Sequence, residues 1–381
     1  MRATAANSRA ILLIAVAYTS TDEIAHAAHE SCLDIGEEKD VLIKVDDVEK
    51  RMYMGAAPVS AYAGEDFRGD ALATSCCGRP LARCCTRPGR CGPRWGCATL
   101  CGRCKNMEKQ SSSVVARLLG RLVGYMRRFL FRFLSVGPIP RHVAFILDGN
   151  RRYARKWKMD DRMGYKVGFL ALMRLMRCCH ELGVKYITVY VFSIENFKRR
   201  PEEVQTVMEL MLEKIEGLIK EEGILNQYGV RVEFAGNLKL LAEPVRIAAE
   251  KAMRVTAHNK SLVLVVGVAY TSTDEMTHAA EECCRDKADR GSQQQLVEVA
   301  DVERHMYMAV APDPEILLRT SGETRLSNFL LWQTSNSLLY SPAALWPEVG
   351  LRHLVWAVLN FQRVQPYLHK RRNHLYLSTQ Q

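Results

Sequence analysis

The feature that most constrains this chain is a series of short strand-like runs separated by stretches with helical spacing. His142–Leu147 and Leu262–Ala269 are apolar from end to end, and Lys185–Phe192 is β-branched and aromatic. Val230–Phe234 and Glu315–Arg319 are shorter runs of the same kind. A strand covered on one face alternates apolar and polar side chains, whereas one buried on both faces does not. Between these runs, Glu202–Glu222 and Glu243–Thr256 repeat apolar residues at helical intervals. Thr273–Cys284 does the same before a polar loop, Asp286–Gln295. The alternation predicts an α/β fold, a mostly parallel β-sheet flanked by helices.

In such sheets ligands bind beyond the carboxyl ends of the strands. Three polar blocks lie at those ends: DGNRRYARK after the first strand, SIENFKRR after the second and RTSGETRLSNF after the last. Each sets arginine beside small residues that expose backbone. A strand end feeding a helix offers free N–H groups to an anion, and arginine adds bidentate contacts to phosphate oxygens. Together the blocks predict a phosphate pocket. Asp148, the acid of the first block, is the expected holder of a divalent metal that carries diphosphate. No Walker sequence and no Rossmann glycine pattern occurs, so nucleotide hydrolysis and dinucleotide binding are disfavoured.

The formal charge of +11 does not point to nucleic acid. Cys76–Lys105 holds seven Lys/Arg and no acid, and Asn106–Pro140 holds six basic residues against one acid. The rest of the chain is close to neutral. Eight of the 13 cysteines fall between Cys76 and Cys104. Their spacing fits no standard zinc module. The pairs Cys178–Cys179 and Cys283–Cys284 suit buried thiols better than a disulfide framework.

Val16–Glu23 reads VAYTSTDE, and Val268–Glu275 repeats it. The likeness continues through His26-Ala27-Ala28 and His278-Ala279-Ala280, and resumes at Met52-Tyr53-Met54 and Met306-Tyr307-Met308. Residues 10–58 therefore read as a partial copy of 262–312, and the apolar run near the N-terminus as a copied core strand and not a secretion signal. Residues 59–106, rich in Gly, Pro, Arg and Cys, read as disordered. The expected organisation is an atypical extension over 1–106, an amphipathic basic helical segment over 107–140 and a catalytic domain over 141–371. In the segment, Met126, Phe129 and Phe133 share one side, while Arg117, Arg121, Arg128 and Arg132 share the other. That pattern suits a helix lying on a membrane surface, and equally one packed on its own domain.

HVAFILDGNRR (142–152), VYVFSIENFKRRPEEV (189–204), LLRTSGETRLSNFLLWQ (317–333) and ALWPE (344–348) resemble the signature blocks of cis-prenyltransferases. LRHLVWAVLNFQR (351–363) is similar to plant rubber-type members. The resemblance implies condensation of isopentenyl diphosphate onto an allylic diphosphate, usually farnesyl diphosphate, with loss of diphosphate and formation of a Z double bond. It implies that Asp148 with Mg²⁺ and the backbone of Gly149, Asn150, Arg151 and Arg152 hold the allylic diphosphate, aided by Arg152, Arg162 and Arg199. Arg319, Arg325 and Ser327 correspond to the isopentenyl diphosphate site. Asn150, Ser193 and Asn196 stand beside the reacting centre. Helices 166–179 and 203–219 and strand 262–269 are the expected walls of an apolar tunnel for the growing chain.

Three positions depart from the family pattern. Tyr165 follows Gly164 where His is usual, and Thr324 and Leu338 stand where bacterial homodimeric members carry His and Glu. The sequence LHKRRNHLYLSTQQ lacks the Arg-X-Gly tail of those enzymes. The last two features resemble the catalytic subunit of eukaryotic two-subunit enzymes. They imply a Nogo-B-receptor-like partner, a membrane surface and a peripheral place on the cytosolic face of the endoplasmic reticulum, with the cytosol as second choice. The alternative is a non-catalytic accessory subunit of the same fold.

Overall fold

In the computed structural model, the described residues are 25–27, 124–220, 225, 228–289 and 297–378. The extension over 1–106, apart from Ala25–Ala27, and its predicted disorder lie outside them. The chain divides into two units, Met1–Ala56 with Phe133–Gln381 and Ala57–Arg132. Residues 124–134 are helical, and Met126, Phe129 and Phe133 are exposed.

Six strands form one sheet: β1 (His142–Ile146), β2 (Tyr186–Ser193), β3 (Val230–Ala235), β4 (Leu262–Tyr270), β5 (Ile316–Arg319) and β6 (Leu338–Tyr340). Their order is β3-β4-β2-β1-β5-β6, and every neighbouring pair is parallel. All residues of β1 and β5 are buried, as expected of strands covered on both faces. Between the strands run α1 (Asn150–Lys156), α2 (Asp161–Leu182), α3 (Pro201–Lys220), α4 (Glu243–Thr256), α5 (Ser272–Asp289) and α6 (Val299–His305). The last helix, α7 (Leu351–Ser378), packs against β5 and β6.

The helices form where apolar residues recur on one side. In α2, Gly168, Leu172, Leu175, Cys179 and Leu182 are buried, and the helix stops at Gly183. Gly183 adopts φ 100°, and its N–H donates back to the carbonyls of Cys179 and His180. Glycine takes that left-handed turn without a Cβ clash. On one side of the sheet, Phe192 and Val268 pack with Met208, Met211 and Ile215 of α3 and with Val245 and Ala249 of α4. Another cluster gathers Ala144, Ile146, Val265, Tyr270, Leu317 and Phe329. Burying a side chain the size of Phe192 or Phe329 contributes about 1.5–3 kcal/mol.

Cys178, Cys179 and Cys283 are buried thiols. Cys284 departs from the expectation: it is disulfide-bonded, with its partner outside the described residues.

The strand order fixes where a ligand can sit. The chain leaves β1 toward β2 on one side, and β5 lies on the other. The crevice between those two connections opens at the carboxyl ends of β1 and β5. Asp148 follows β1, and Arg319 ends β5.

Candidate active site

Asp148 is held by its own backbone before its carboxylate meets anything. Its N–H donates to Thr320 Oγ1 at 2.8 Å. Its carbonyl accepts from Ser321 Oγ at 2.8 Å and from the Trp346 N–H at 2.9 Å. Gly149 follows at φ 115°, and a Cβ there would lie 2.6 Å from Ser321 Oγ and 3.0 Å from Trp346 N. Only glycine lets the chain pass this crowded corner into α1.

From this corner a chain of alternating charge crosses the crevice. Arg319 Nη2 lies 3.0 Å from Asp148 Oδ2, and Arg152 Nη2 lies 3.1 Å from Asp148 Oδ1. Arg152 also faces Glu323 at 3.7 Å, and Glu323 pairs with Arg325 at 2.6 Å. Arg319 is buried, and its Nη1 donates to Ser327 Oγ at 2.6 Å and to the carbonyl of Arg325. A second carboxylate, Glu203, joins two of the sequence blocks. It accepts from Arg199 at 2.9 Å and from Arg151 at 3.2 Å. Ser193 caps the short turn Ile194–Lys198 by accepting from the Glu195 N–H at 3.1 Å.

A cavity of about 600 Å³ opens here, lined by six arginines (Arg151, Arg152, Arg155, Arg199, Arg319 and Arg325) and three carboxylates (Asp148, Glu195 and Glu323), with Glu203 behind Arg199 and Arg151. Eleven of the twelve predicted site residues border it: Asp148, Gly149, Asn150, Arg151, Arg152, Ser193, Asn196, Arg199, Arg319, Arg325 and Ser327. Arg162 does not. It sits in the first turn of α2 and turns toward α3, where it pairs with Glu213 at 3.8 Å. Across that helix–helix seam it finds a carboxylate nearer than the cavity offers.

A second cavity, about 190 Å³, adjoins the first and is lined almost wholly by apolar side chains. Phe169 and Leu172 of α2, Met211, Ile215 and Leu218 of α3, and Val266 of β4 form its walls. These are the elements expected to wall a tunnel, with Val232 and Phe234 of β3 added. Leu147, Asn150, Tyr165, Tyr190, Val191 and Val207 border both spaces. Burial raises the pKa of Tyr165, against the opposing pull of Arg199 and Arg151, and pushes Tyr190 up to about 12. Both phenols stay neutral at ordinary pH and line the passage as polar but uncharged groups. Asn150 Oδ1 is buried there without a hydrogen-bond partner, as is the Nε of Arg319.

Sequence reasoning missed Glu203, Glu323 and Tyr190. Glu203 had a signal: it follows Arg199 by four residues at the start of a helix, the spacing of a helical ion pair. Glu323 stood between two arginines in a block read only for its cations. Tyr190 gave none, because a tyrosine in a strand reads as core.

Among the described residues no group of three or more His, Cys, Asp or Glu could hold a metal by itself. The donors fit Mg²⁺ only in the manner of a phosphate-carrying ion, in which one carboxylate shares the metal with diphosphate oxygens and water. Asp148 is the carboxylate at the head of the cavity that meets this condition.

A parallel α/β sheet with an arginine-lined cavity opening onto an apolar one defines a protein built for amphiphilic phosphates. Residues 146–368 match the family described as "Putative undecaprenyl diphosphate synthase". The chain is 53% identical over 281 residues to dehydrodolichyl diphosphate synthase 6 of Arabidopsis thaliana, covering 68% of this chain and 95% of that one. It is 39% identical over 251 residues to a Homo sapiens dehydrodolichyl diphosphate synthase complex subunit, covering 65% and 74%. Its fold resembles lavandulyl diphosphate synthase from Lavandula x intermedia, solved with dimethylallyl diphosphate, at a TM-score of 0.55 and 27% identity. That likeness covers 58% of this chain and 95% of the solved one. The chain belongs to the cis-prenyltransferase family, of the plant type, and its activity is cis-prenyl chain elongation.

Proposed function

We propose that this chain condenses isopentenyl diphosphate onto an allylic diphosphate, farnesyl diphosphate in the first round, to give long polyprenyl diphosphates for dolichol and polyprenol synthesis. The observation that carries this reading is the junction of the two cavities. A diphosphate suits the six arginines, and a hydrocarbon chain suits the apolar space reached past Asn150 and Tyr165. The lavandulyl enzyme, solved with an allylic diphosphate, supports the choice of head group.

Mechanism then rests on charge placed before the reaction begins. Asp148, the first turn of α1, Arg152 and Arg199 hold the allylic diphosphate. Arg319, Arg325 and Ser327 hold isopentenyl diphosphate. The allylic C–O bond breaks with its electron pair leaving on diphosphate, and the π pair of isopentenyl diphosphate forms the new C–C bond. A proton then leaves its C2 as the Z double bond forms. The neutral phenols of Tyr165 and Tyr190 are poor acceptors for that proton, and Asp148 and Glu323 are held in ion pairs. A diphosphate oxygen or the Glu195 carboxylate, which also lines the cavity, remains as its acceptor. Ser193 and Asn196 orient the reacting carbons, and the apolar walls exclude water from the cationic centre. Asp148 would hold Mg²⁺, which would supply further stabilisation of the charge on the leaving group.

The chain works as the catalytic half of a heteromer with a Nogo-B-receptor-like subunit, peripherally on the cytosolic face of the endoplasmic reticulum. Thr324 and Leu338 offer no carboxylate or imidazole to a shared site, and the human relative is named as a complex subunit. Exposed Met126, Phe129 and Phe133 support contact with a membrane surface. No described helix is long and apolar enough to cross a membrane. A reading as a non-catalytic subunit is not favoured, because Asp148, Asn150, Arg152, Arg319 and Arg325 all converge on one cavity. The test is to add labelled isopentenyl diphosphate and farnesyl diphosphate to the chain alone, to the chain with its accessory subunit, and to that pair with EDTA. Elongation by the pair only, abolished by EDTA, supports the proposal. Full activity of the chain alone removes the heteromer, and activity in EDTA removes the metal.

A further inference from the structure

The loop that carries Arg325 and Ser327 is held from the cavity by Arg319 and also from a second place. Ser327, Asn328 and Leu330 all adopt left-handed backbone, with φ of 51°, 55° and 51°. That conformation is unfavourable for residues with a Cβ, so something must hold it. The holder is the start of α5, on the side away from the arginines. There the N–H of Ser272 donates to the Asn328 carbonyl at 2.8 Å, and the N–H of Thr273 donates to Asn328 Oδ1 at 3.2 Å. The Asn328 amide donates to Thr273 Oγ1 at 3.0 Å, and the Leu331 N–H donates to Ser272 Oγ at 3.0 Å. Asn328 thus satisfies two backbone donors that the first turn of a helix otherwise leaves unpaired. Asparagine also tolerates the left-handed region better than most residues.

The clasp stands on a buried base. Glu275, fully buried one turn into α5, accepts from the Met308 N–H at 2.8 Å, from Tyr270 Oη at 2.5 Å and from Gln333 Nε2 at 3.1 Å. Phe329, next to Asn328, is fully buried and stacks on Tyr190 at 4.3 Å. The far end of the loop is thereby anchored, while its near end meets Arg319 through Ser327 Oγ and the Arg325 carbonyl.

We propose that Asn328, clasped by Ser272 and Thr273, is a positioning residue that sets Ser327, Arg325 and Arg319 for one diphosphate and not the other. The inference rests on the assignment of that loop to isopentenyl diphosphate. Its signature is selective: loss of the clasp weakens isopentenyl diphosphate and spares the allylic substrate, whose groups lie after β1, on α1 and after β2.

The test uses the full chain with its accessory subunit, in the membrane fraction of cells that express both, with abundance and protease resistance checked against wild type. Asn328→Ala should raise KM for isopentenyl diphosphate about tenfold or more, with KM for farnesyl diphosphate changed by no more than about twofold. Asn328→Asp keeps the Oδ1 acceptor and should recover most of the loss. Asn328→Gly keeps the left-handed turn but not the side chain, and should remain impaired. Thr273→Val removes the hydroxyl without touching the loop. It should shift the same KM in the same direction, and it carries the test if Asn328→Ala does not accumulate. Unchanged KM values, or both rising together, would overturn the proposal. So would recovery by Gly and not by Asp. Wild-type membranes that incorporate no isopentenyl diphosphate would instead overturn the functional reading beneath it.

Discussion

Arg319 Nη2 lies 3.0 Å from Asp148 Oδ2, joining residues 171 positions apart at the ends of two adjacent parallel strands. The pair ties the two expected diphosphate sites to each other. Arg319 reaches the isopentenyl side through Ser327 Oγ, and Asp148 reaches the allylic side through Arg152.

The two arginines of the last block should therefore fail differently. Arg325 is largely exposed and paired only with Glu323 among the contacts described, so Arg325→Ala should leave stability nearly unchanged. It should lower kcat/KM for isopentenyl diphosphate roughly ten- to a hundredfold, as expected for about 1.5–3 kcal/mol of charge-assisted binding. Arg319 is buried, and its loss removes the partner of Asp148 Oδ2 and of Ser327 Oγ as well. Arg319→Ala should cost a further 1–3 kcal/mol or so of stability. Thermal melts beside steady-state kinetics separate the two outcomes.

The apolar cavity should set product length. Leu218 lies on its wall eleven residues along α3 from Val207, which borders the arginine-lined space. At helical rise that is roughly 16 Å. Leu218→Trp should shorten the product distribution while changing the rate of the first condensation by no more than about threefold, since the reacting end lies elsewhere. Chromatography of dephosphorylated products checks this. An unchanged distribution would place the growing chain outside that cavity.

Acid stability should depend on His142, at the opposite end of β1 from the site. Its Nε2 lies 2.7 Å from Thr188 Oγ1, and burial lowers its pKa to about 4 despite the carbonyl of Pro312. The folded chain keeps the ring neutral while the unfolded chain protonates it near 6.5. Stability is therefore present above about pH 6.5 and lost as pH falls toward 4, by up to about 3 kcal/mol. His142→Gln should flatten the fall in melting temperature over that window, even if its melting temperature at pH 7.5 is lower.

Much of this was legible in the sequence, for physical reasons. Leu262–Tyr270 and His142–Ile146 are covered on both faces, so their composition alone marks them as central strands. The polar blocks stand at the strand ends because parallel strands deliver their carboxyl ends to one edge. β6 was not legible, since Leu338–Tyr340 is too short to show a period. The direction of Arg162, which pairs with Glu213 of another helix, was not legible in its own block. The clasp on Asn328 is a contact across 55 residues, and only half of it left a trace. The N-terminal copy repeats Tyr270, Ser272, Thr273 and Glu275 as Tyr18, Ser20, Thr21 and Glu23, without a second SNF block to grip.

The central claim is that Asp148 and the arginines around it run cis-prenyl elongation. Its most direct test compares wild type with Asp148→Ala, each with the accessory subunit, for incorporation of labelled isopentenyl diphosphate onto farnesyl diphosphate. Product size and double-bond geometry are read by chromatography and NMR. The account predicts long Z-polyprenyl products from wild type and, from a folded Asp148→Ala protein, a loss of at least about a hundredfold. Equal incorporation by both proteins, or none by a folded wild-type complex, would contradict it.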